Sequence, residues 1–409
     1  MRADNNSRKY MYLFTSEVVS PGHPDKCADI IADSIVDKLI IGDPKSRVAS
    51  EVFVAGKHIV IGGEVTSKTR VTTEDYKKIV HDALVNIGYD GNPYFTREEC
   101  LHPEDVELQV LLNAQSPDIN QGVDQEDGET GAGDQGIMFG YADIETGNYM
   151  PSAITYARVL MEKVYNFAKA NPSKLGVDIK TQVTMDYGKK ENFENCKPQK
   201  IHTIVVSAPC VNTMDINTVR KLIGELIDDA GLPSELYDKN DCIIHINPTG
   251  KYVSHSSLHD SGLTGRKLIV DSFGGYAPIG GGAQSSKDYT KVDRSGLYAA
   301  RWIAKHIVAS GLSKKALVQI SYAIGVARPT SVAVDTYGTV ISGLDDDKLS
   351  EFVLNNFSLT PNWITRKFHL DKPSKETFLY ADVAARGQVG QSDYPWEKLD
   401  ELDKFEALK

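Results

Sequence analysis

One succession of periodicities, run through three times, constrains this chain more than anything else in it. After the apolar stretch Tyr10–Phe14, Pro24 sits where a helix begins, and Cys27, Ile30, Ile31, Ile35 and Leu39 keep a helical spacing until Gly42-Asp43-Pro44 stops it. Arg47–Val54 and His58–Val65 then read as two strands joined by a turn containing Gly56. A helix follows from Thr73, with Tyr76, Ile79, Val80, Ala83, Leu84 and Ile87 on one face and Gly88 as its stop, and then a strand over Val106–Asn113. This order, β-α-β-β-α-β, is the split unit of ferredoxin-like folds. A second copy runs through strand Gly136–Tyr141, helix Ser152–Lys169, strands Lys180–Asp186 and Ile201–Ala208, helix Ile216–Ala230 and strand Cys242–Asn247. The third has strand Lys267–Asp271, a helix near Asp293–Ala309, strands Ala316–Val326 and Ser331–Tyr337, helix Lys348–Phe357 and a poorly marked last strand. The expected fold class is α+β, three βαββαβ-type domains over residues 10–114, 131–254 and 255–398.

Length and charge agree with this and exclude other classes. A chain of 409 residues holds two or three domains of roughly 100–200 residues, enough for a large core. With 45 Lys+Arg against 56 Asp+Glu the net charge is −11, so the overall field repels nucleic acid and anionic lipid, and a polyphosphate partner needs a local basic pocket. No apolar run approaches a membrane span, and MRADNNSRKY lacks the apolar core of a signal peptide, so a cytoplasmic chain with no nucleic-acid or membrane partner is expected. Cys27, Cys100, Cys196, Cys210 and Cys242 are odd in number and form no CxxC pair; they read as small core residues. Residues 115–130, QSPDINQGVDQEDGET, are too long and acidic for an ordinary linker, and length favours a mobile lid over a disordered connector.

Four stretches carry candidate chemistry. GHPDK (22–26) puts His23, Asp25 and Lys26 at a helix start, where backbone N–H groups favour an anion; His23 would neutralise or protonate a leaving oxygen and Asp25 would hold a metal, the plain alternative being an N-cap and a solvated face. GAGDQG (131–136) matches GxGxxG literally, but an acidic loop precedes it and a strand follows it, the reverse of a dinucleotide-binding turn. Two readings stand for it: a turn presenting Asp134 to ribose hydroxyls, or a plain turn before a strand. GLTGRK (262–267) and GGGAQSSKDYTKVDR (280–294) interleave Arg266, Lys267, Lys287 and Lys291 with Asp288 and Asp293 after a flexible triple glycine. A metal-bridged polyphosphate requires that mixture, cations on its oxygens and carboxylates on Mg²⁺; an ordinary salt-bridged helix start is the alternative. Glu51 and Glu64 on strands, Gln115 and Asp260 in loops, and Tyr252 in INPTGKY are weaker candidates for cation, ammonium and base contacts.

Taken together, GHPDK, QSPDINQGVD, GAGDQG, INPTGKY, DSGLTGRK, GGGA..SKDYTKVDRS and SYAIGVA resemble methionine adenosyltransferase, the S-adenosylmethionine synthetase family, from Phe14 to about Lys398. The resemblance implies three domains about a pseudo-threefold axis, a homodimer or dimer of dimers with sites at the dimer interface, and dependence on two Mg²⁺ per site and one K⁺. It implies attack of the L-methionine sulfur on C5′ of ATP, release of tripolyphosphate, and hydrolysis of that to pyrophosphate and phosphate. By motif, His23 would contact the oxygen leaving C5′; Lys180, Arg266, Lys267, Lys287 and Lys291 would surround the phosphates; Asp25 and Asp293 would ligate Mg²⁺ and Glu51 K⁺. Glu64, Gln115, Asp260 and Lys291 would hold methionine, Asp134 would meet ribose and Tyr252 with Ile324 would bracket adenine, Asp260 also serving ATP.

The chain departs from the family pattern in three places. Ala283-Gln284-Ser285-Ser286-Lys287-Asp288 stands where Ala-Phe-Ser-Gly-Lys-Asp is usual, His255-Ser256-Ser257 where Gly-Gly-Pro is usual, and Tyr252 where Phe is usual. A catalytically silent binding subunit of the same fold is the alternative function; it would have lost cations or His23, and this chain keeps them.

Overall fold

Pro24 presets the first turn of helix α1 (Pro24–Gly42) and the His23 side chain caps it, so the expected start is met in the backbone. The computed structural model describes residues 11–90, 93–114 and 130–409. Helix α2 (Thr73–Ile87) opens on a capping box between Thr72 and Asp75 and closes at Gly88, whose φ of 114° suits glycine. The other principal helices are α3 (Ser152–Ala170), α4 (Ile216–Asp228), α5 (Val292–Ala309), α6 (Asp346–Asn356), α7 (Pro361–Phe368) and α8 (Tyr380–Arg386).

The strands are β1 (Leu13–Val19), β2 (Arg47–Ala55), β3 (His58–Thr66), β4 (Glu107–Asn113), β5 (Gly136–Asp143), β6 (Lys180–Asp186), β7 (Lys200–Ser207), β8 (Ile243–Ile246), β9 (Gly262–Leu263), β10 (Lys315–Tyr322) and β11 (Ser331–Asp335). Among the described residues they form three sheets, ordered β4-β3-β2-β9, β1-β6-β7-β8 and β11-β10-β5. The first strand of each repeat is therefore given away: β1 pairs antiparallel with β6, β5 with β10, and β9 with β2. This cyclic exchange ties the three units into a ring. Alternation and turn residues mark strands in a sequence but not their partners, so self-contained units were the natural expectation.

Three boundaries need correction. Among the described residues the first strand is Leu13–Val19, which runs past the stretch expected to end at Phe14, while Tyr10 lies outside the described residues. Lys267–Asp271 is no strand: Leu268–Asp271 is a helical turn, and the strand of that region is Gly262–Leu263. Three successive aliphatic residues suggested β structure, and the glycines before them hid the real pairing. The strand drawn over Ala316–Val326 ends at Tyr322, because Gly325 turns with a φ of 76°.

The core is densest around α5, which is buried along nearly its whole length and lies on β5 and β10. Arg301 on α5 is fully buried and satisfied by both Glu397 oxygens and by the carbonyls of Tyr141, Asn148 and Tyr149. Gly140 permits the approach of β5: a Cβ there would lie 2.0 Å from the Ala300 carbonyl carbon. Gly140→Ala is expected to cost about 3 kcal/mol, the upper range for overpacking, because backbone rather than a movable side chain is in the way. Urea unfolding followed by circular dichroism checks this, and an unchanged midpoint would contradict it. Cys27, Cys100, Cys196 and Cys210 are buried, Cys242 half-buried, and all five are free thiols, as their spacing suggested. Among the described residues no helix is long and apolar enough to cross a membrane.

Candidate active site

The first turn of α1 assembles one group of charges. His23 is only 2% exposed; its Nδ1 accepts from the Asp25 N–H at 3.1 Å, which leaves the ring proton on Nε2, 4.0 Å from Asp260 Oδ2. Burial, followed by the charges of Lys267 and Lys180, pushes His23 down to about 3. Burial thus favours the neutral ring, whose Nε2–H would meet an oxygen as a hydrogen-bond donor and not as a charged acid.

Asp25 is fully buried, which corrects the reading of a solvated face. It accepts from the Leu263 N–H at 2.9 Å and from Lys267 Nζ at 2.5 Å, and Arg266 Nε lies 3.2 Å away. Burial opposes its ionisation, but the hydrogen bonds from Lys267 and Leu263 outweigh burial and hold the carboxyl below its ordinary value. Lys180 opens β6 beside Val19 and is exposed. Tyr252 directs its hydroxyl to Asp178 Oδ2 at 3.4 Å.

A second group forms where the loop after Gly280 meets the start of α5. Lys287 Nζ donates to Asp293 Oδ2 at 2.6 Å, and buried Lys291 donates to Asp288 at 2.5 Å. Lys291 is the N-cap of α5 and Lys287 lies four residues before it. Gly280 and Gly282 serve close packing: a Cβ on Gly282 would lie 2.1 Å from Asp293 Cγ, and one on Gly280 2.2 Å from the Ile137 carbonyl oxygen, whereas Gly281 has open space around it. Asp134 is exposed in a turn fastened by Gly133 N–H to the Thr290 carbonyl, and Ala132 N–H bonds the Val326 carbonyl, which brings exposed Ile324 to the same place. Ala49 bridges Lys287 on one side and faces Glu64 on the other, and Glu51 follows Ala49 on the same outward face of β2. Glu51 and Glu64 therefore belong with this second group. Gln115 and residues 115–129 of the acidic connection lie outside the described residues.

Among the described residues no ion pair joins a member of one group to the other. α1 gives the scale. Asp25 touches the first group and Asp33, eight residues on and about 12 Å along the axis, touches the flanks of the second.

Several of these buried acids escaped the sequence reading. Asp178, two residues before Lys180, is buried, its Oδ1 has no hydrogen-bond partner among the described residues, and burial pushes it up to about 6. Asp29, Asp33 and Asp37 continue from Asp25 at four-residue steps along α1. Asp29 accepts from Gly265 N–H and Lys26, Asp33 from Ser286 N–H and Arg294, and Asp37 from the N–H groups of Tyr380 and Ala381. The spacing itself was the available signal, yet acids at i,i+4 ordinarily mark a solvated face.

Family models for the N-terminal, central and C-terminal domains of S-adenosylmethionine synthetase match residues 11–117, 129–252 and 255–398 in that order. The chain belongs to the S-adenosylmethionine synthetase family. It is 44% identical over 400 residues to the S-adenosylmethionine synthase of a Nitratiruptor species, covering 96% of this chain and 97% of that one. It is 41% identical over 410 residues to that of Chlorobium phaeobacteroides, with 96% and 97% covered. The solved structure described as an unusual S-adenosylmethionine synthetase from Campylobacter jejuni superposes with a TM-score of 0.93 at 69% identity, over 97% of this chain and 100% of that one. The expected family and the three-domain α+β fold of S-adenosylmethionine synthetases are thus both met.

Proposed function

We propose that this chain is a methionine adenosyltransferase, forming S-adenosylmethionine from ATP and L-methionine and hydrolysing the released tripolyphosphate to pyrophosphate and phosphate. One observation carries the reading: each proposed metal carboxylate rests against a proposed phosphate lysine, Asp25 on Lys267 and Asp293 on Lys287. Pairs of this kind are suited to a polyanion that arrives with its cations. Hard carboxylate oxygens fit Mg²⁺, with Asp25 and Asp293 as the ligands; bound there, the ions would neutralise phosphate charge. At Glu51 only the resemblance supports K⁺, and the structure leaves that carboxylate exposed on an outer sheet face.

In the proposed reaction the methionine sulfur forms a bond to C5′ while the C5′–O5′ bond breaks and its electron pair leaves with the tripolyphosphate. His23 Nε2–H would donate to that oxygen, and Lys180, Arg266, Lys267, Lys287 and Lys291 would hold the charge that develops on the chain of phosphates. Asp134 and Asp260 would take the ribose and methionine, Tyr252 and Ile324 the adenine, and Glu64 the methionine ammonium. The test mixes the protein with ATP, methionine, Mg²⁺ and K⁺ and follows phosphate and the sulfonium product. Consumption of ATP without adenosylated sulfur would reject the reading, and binding of ATP with neither consumption nor sulfonium product would favour a silent binding subunit.

The two separate groups support a site completed by a second copy of the chain, His23 and Asp25 from one protomer facing Lys287 and Asp293 from its partner. Complementation checks this. If His23→Ala and Asp293→Asn chains are each inactive and are refolded together, a shared site regains about a quarter of wild-type activity, since half the dimers are mixed and each of those has one intact site. A site contained within one chain regains none.

A further inference from the structure

Between the two proposed site residues Lys287 and Asp293 and the body of the protein stands one fully buried carboxylate, Asp33. Its Oδ1 accepts from the N–H of Ser286 at 2.8 Å, and its Oδ2 accepts from Arg294 Nη2 at 2.5 Å. Ser286 immediately precedes Lys287, and Arg294 immediately follows Asp293. The same carboxylate thus holds the outer flank of each member of the Lys287–Asp293 pair, which is itself closed at 2.6 Å.

The backbone at Ser286 has to be held. Its φ is 82°, in the left-handed region where an L side chain crowds its own backbone. It is also the position where the family resemblance expects glycine. Ser286 is clamped on both sides: its N–H by Asp33, and its carbonyl by the Ser50 N–H on β2 at 3.2 Å. Arg294 depends on Asp33 in turn. Its Nε and Nη1 are buried with no hydrogen-bond partner among the described residues, and its guanidinium lies over the Tyr380 ring at 4.6 Å.

We infer that Asp33 is a positioning residue for phosphate binding, holding Ser286 in its left-handed conformation so that Lys287 and Asp293 face the same point. The inference rests on the proposed role of Lys287 at the polyphosphate. It differs from a merely structural role in predicting that glycine at 286, which takes a positive φ without help, makes the site less dependent on Asp33.

The test compares wild type, Asp33→Asn, Ser286→Gly, the double variant and Ser286→Val. It measures kcat and KM for adenosyl transfer, Kd for Mg²⁺-tripolyphosphate by calorimetry, and Tm. Asp33→Asn is expected to lower kcat per folded molecule about 10²-fold, the scale of a misplacement near 1 Å, while KM for methionine stays within about threefold. Adding Ser286→Gly is expected to recover about tenfold in kcat and in tripolyphosphate affinity without restoring Tm, because Arg294 remains without its anion. Should Asp33→Asn fail to fold, Ser286→Val decides: it leaves Asp33 and Arg294 in place, adds a β-branched side chain at the strained φ, and is expected to lose about tenfold in both readouts. Wild-type values in Ser286→Val, or an Asp33→Asn loss that glycine does not relieve, would overturn the inference. A wild type that binds tripolyphosphate but makes no adenosylated sulfur would sink the functional reading alone, and the affinities would still judge Asp33.

Discussion

Replacing His23 with alanine is expected to slow adenosyl transfer about 10²- to 10³-fold, the range for deleting one preorganised donor at a developing anion, and to change hydrolysis of added tripolyphosphate less than about tenfold. The asymmetry follows from where the ring points. Its Nδ1 is occupied by the Asp25 N–H, so Nε2 carries the proton on the side of Asp260, the proposed methionine and ATP side. Once tripolyphosphate has left C5′, the oxygen that His23 is proposed to serve no longer carries developing charge, and hydrolysis would proceed at phosphorus atoms that the proposed lysines hold. Equal losses in the two reactions would contradict the assignment.

The pH dependence distinguishes this donor from an acid. With His23 held down to about 3 by burial, Lys267 and Lys180, transfer is expected to show no His23 limb near the ordinary histidine pKa of about 6.5. The stability effect has a definite sign. An unfolded chain takes up the imidazole proton below about 6.5 and the folded chain does not until about 3, so the contribution of neutral His23 is complete above that window and is lost as pH falls through it. His23→Ala should therefore lose less stability than wild type between pH 7 and pH 5, measured as urea midpoints.

Local chemistry made more of the site legible in the sequence than of the fold's connections. Pro24 and Gly88 announce helix ends because caps are satisfied within a few residues. The exchange of β1, β5 and β9 between sheets involves partners more than a hundred residues apart, and nothing in LFTSEVV or GIMFGYAD names them. The charged motifs were legible because cations and carboxylates crowd into short glycine-rich stretches. Their pairing was not: Lys291 goes to Asp288 and Lys287 to Asp293, although both aspartates lie within reach of either lysine in sequence. Asp29, Asp33 and Asp37 were hidden for a different reason. Their donors, Gly265, Ser286 and Tyr380, are mostly backbone N–H groups from the last third of the chain, and a backbone donor leaves no trace in residue type.

Mg²⁺ and tripolyphosphate are expected to bind this protein cooperatively, each tightening the other by about 10- to 100-fold. Asp25 already accepts Lys267 at 2.5 Å, and Asp293 accepts Lys287 at 2.6 Å. If the carboxylates take metal alone, two largely buried lysines lose their anions; if the lysines take phosphate alone, two carboxylates are left facing more negative charge. Only when both arrive does every charged group exchange one partner for another. Calorimetric titration of Mg²⁺, of tripolyphosphate, and of each in the presence of the other measures the coupling. The double variant Lys267→Met, Lys287→Met separates the contributions: Asp293 loses its lysine and Asp25 keeps only Arg266 beside it, so Mg²⁺ alone should bind more tightly than to wild type, while tripolyphosphate should bind more weakly. Weaker binding of Mg²⁺ by that variant would mean that the lysines and aspartates do not exchange partners, and that Lys267 and Lys287 hold Asp25 and Asp293 in place for the metal instead of competing with it.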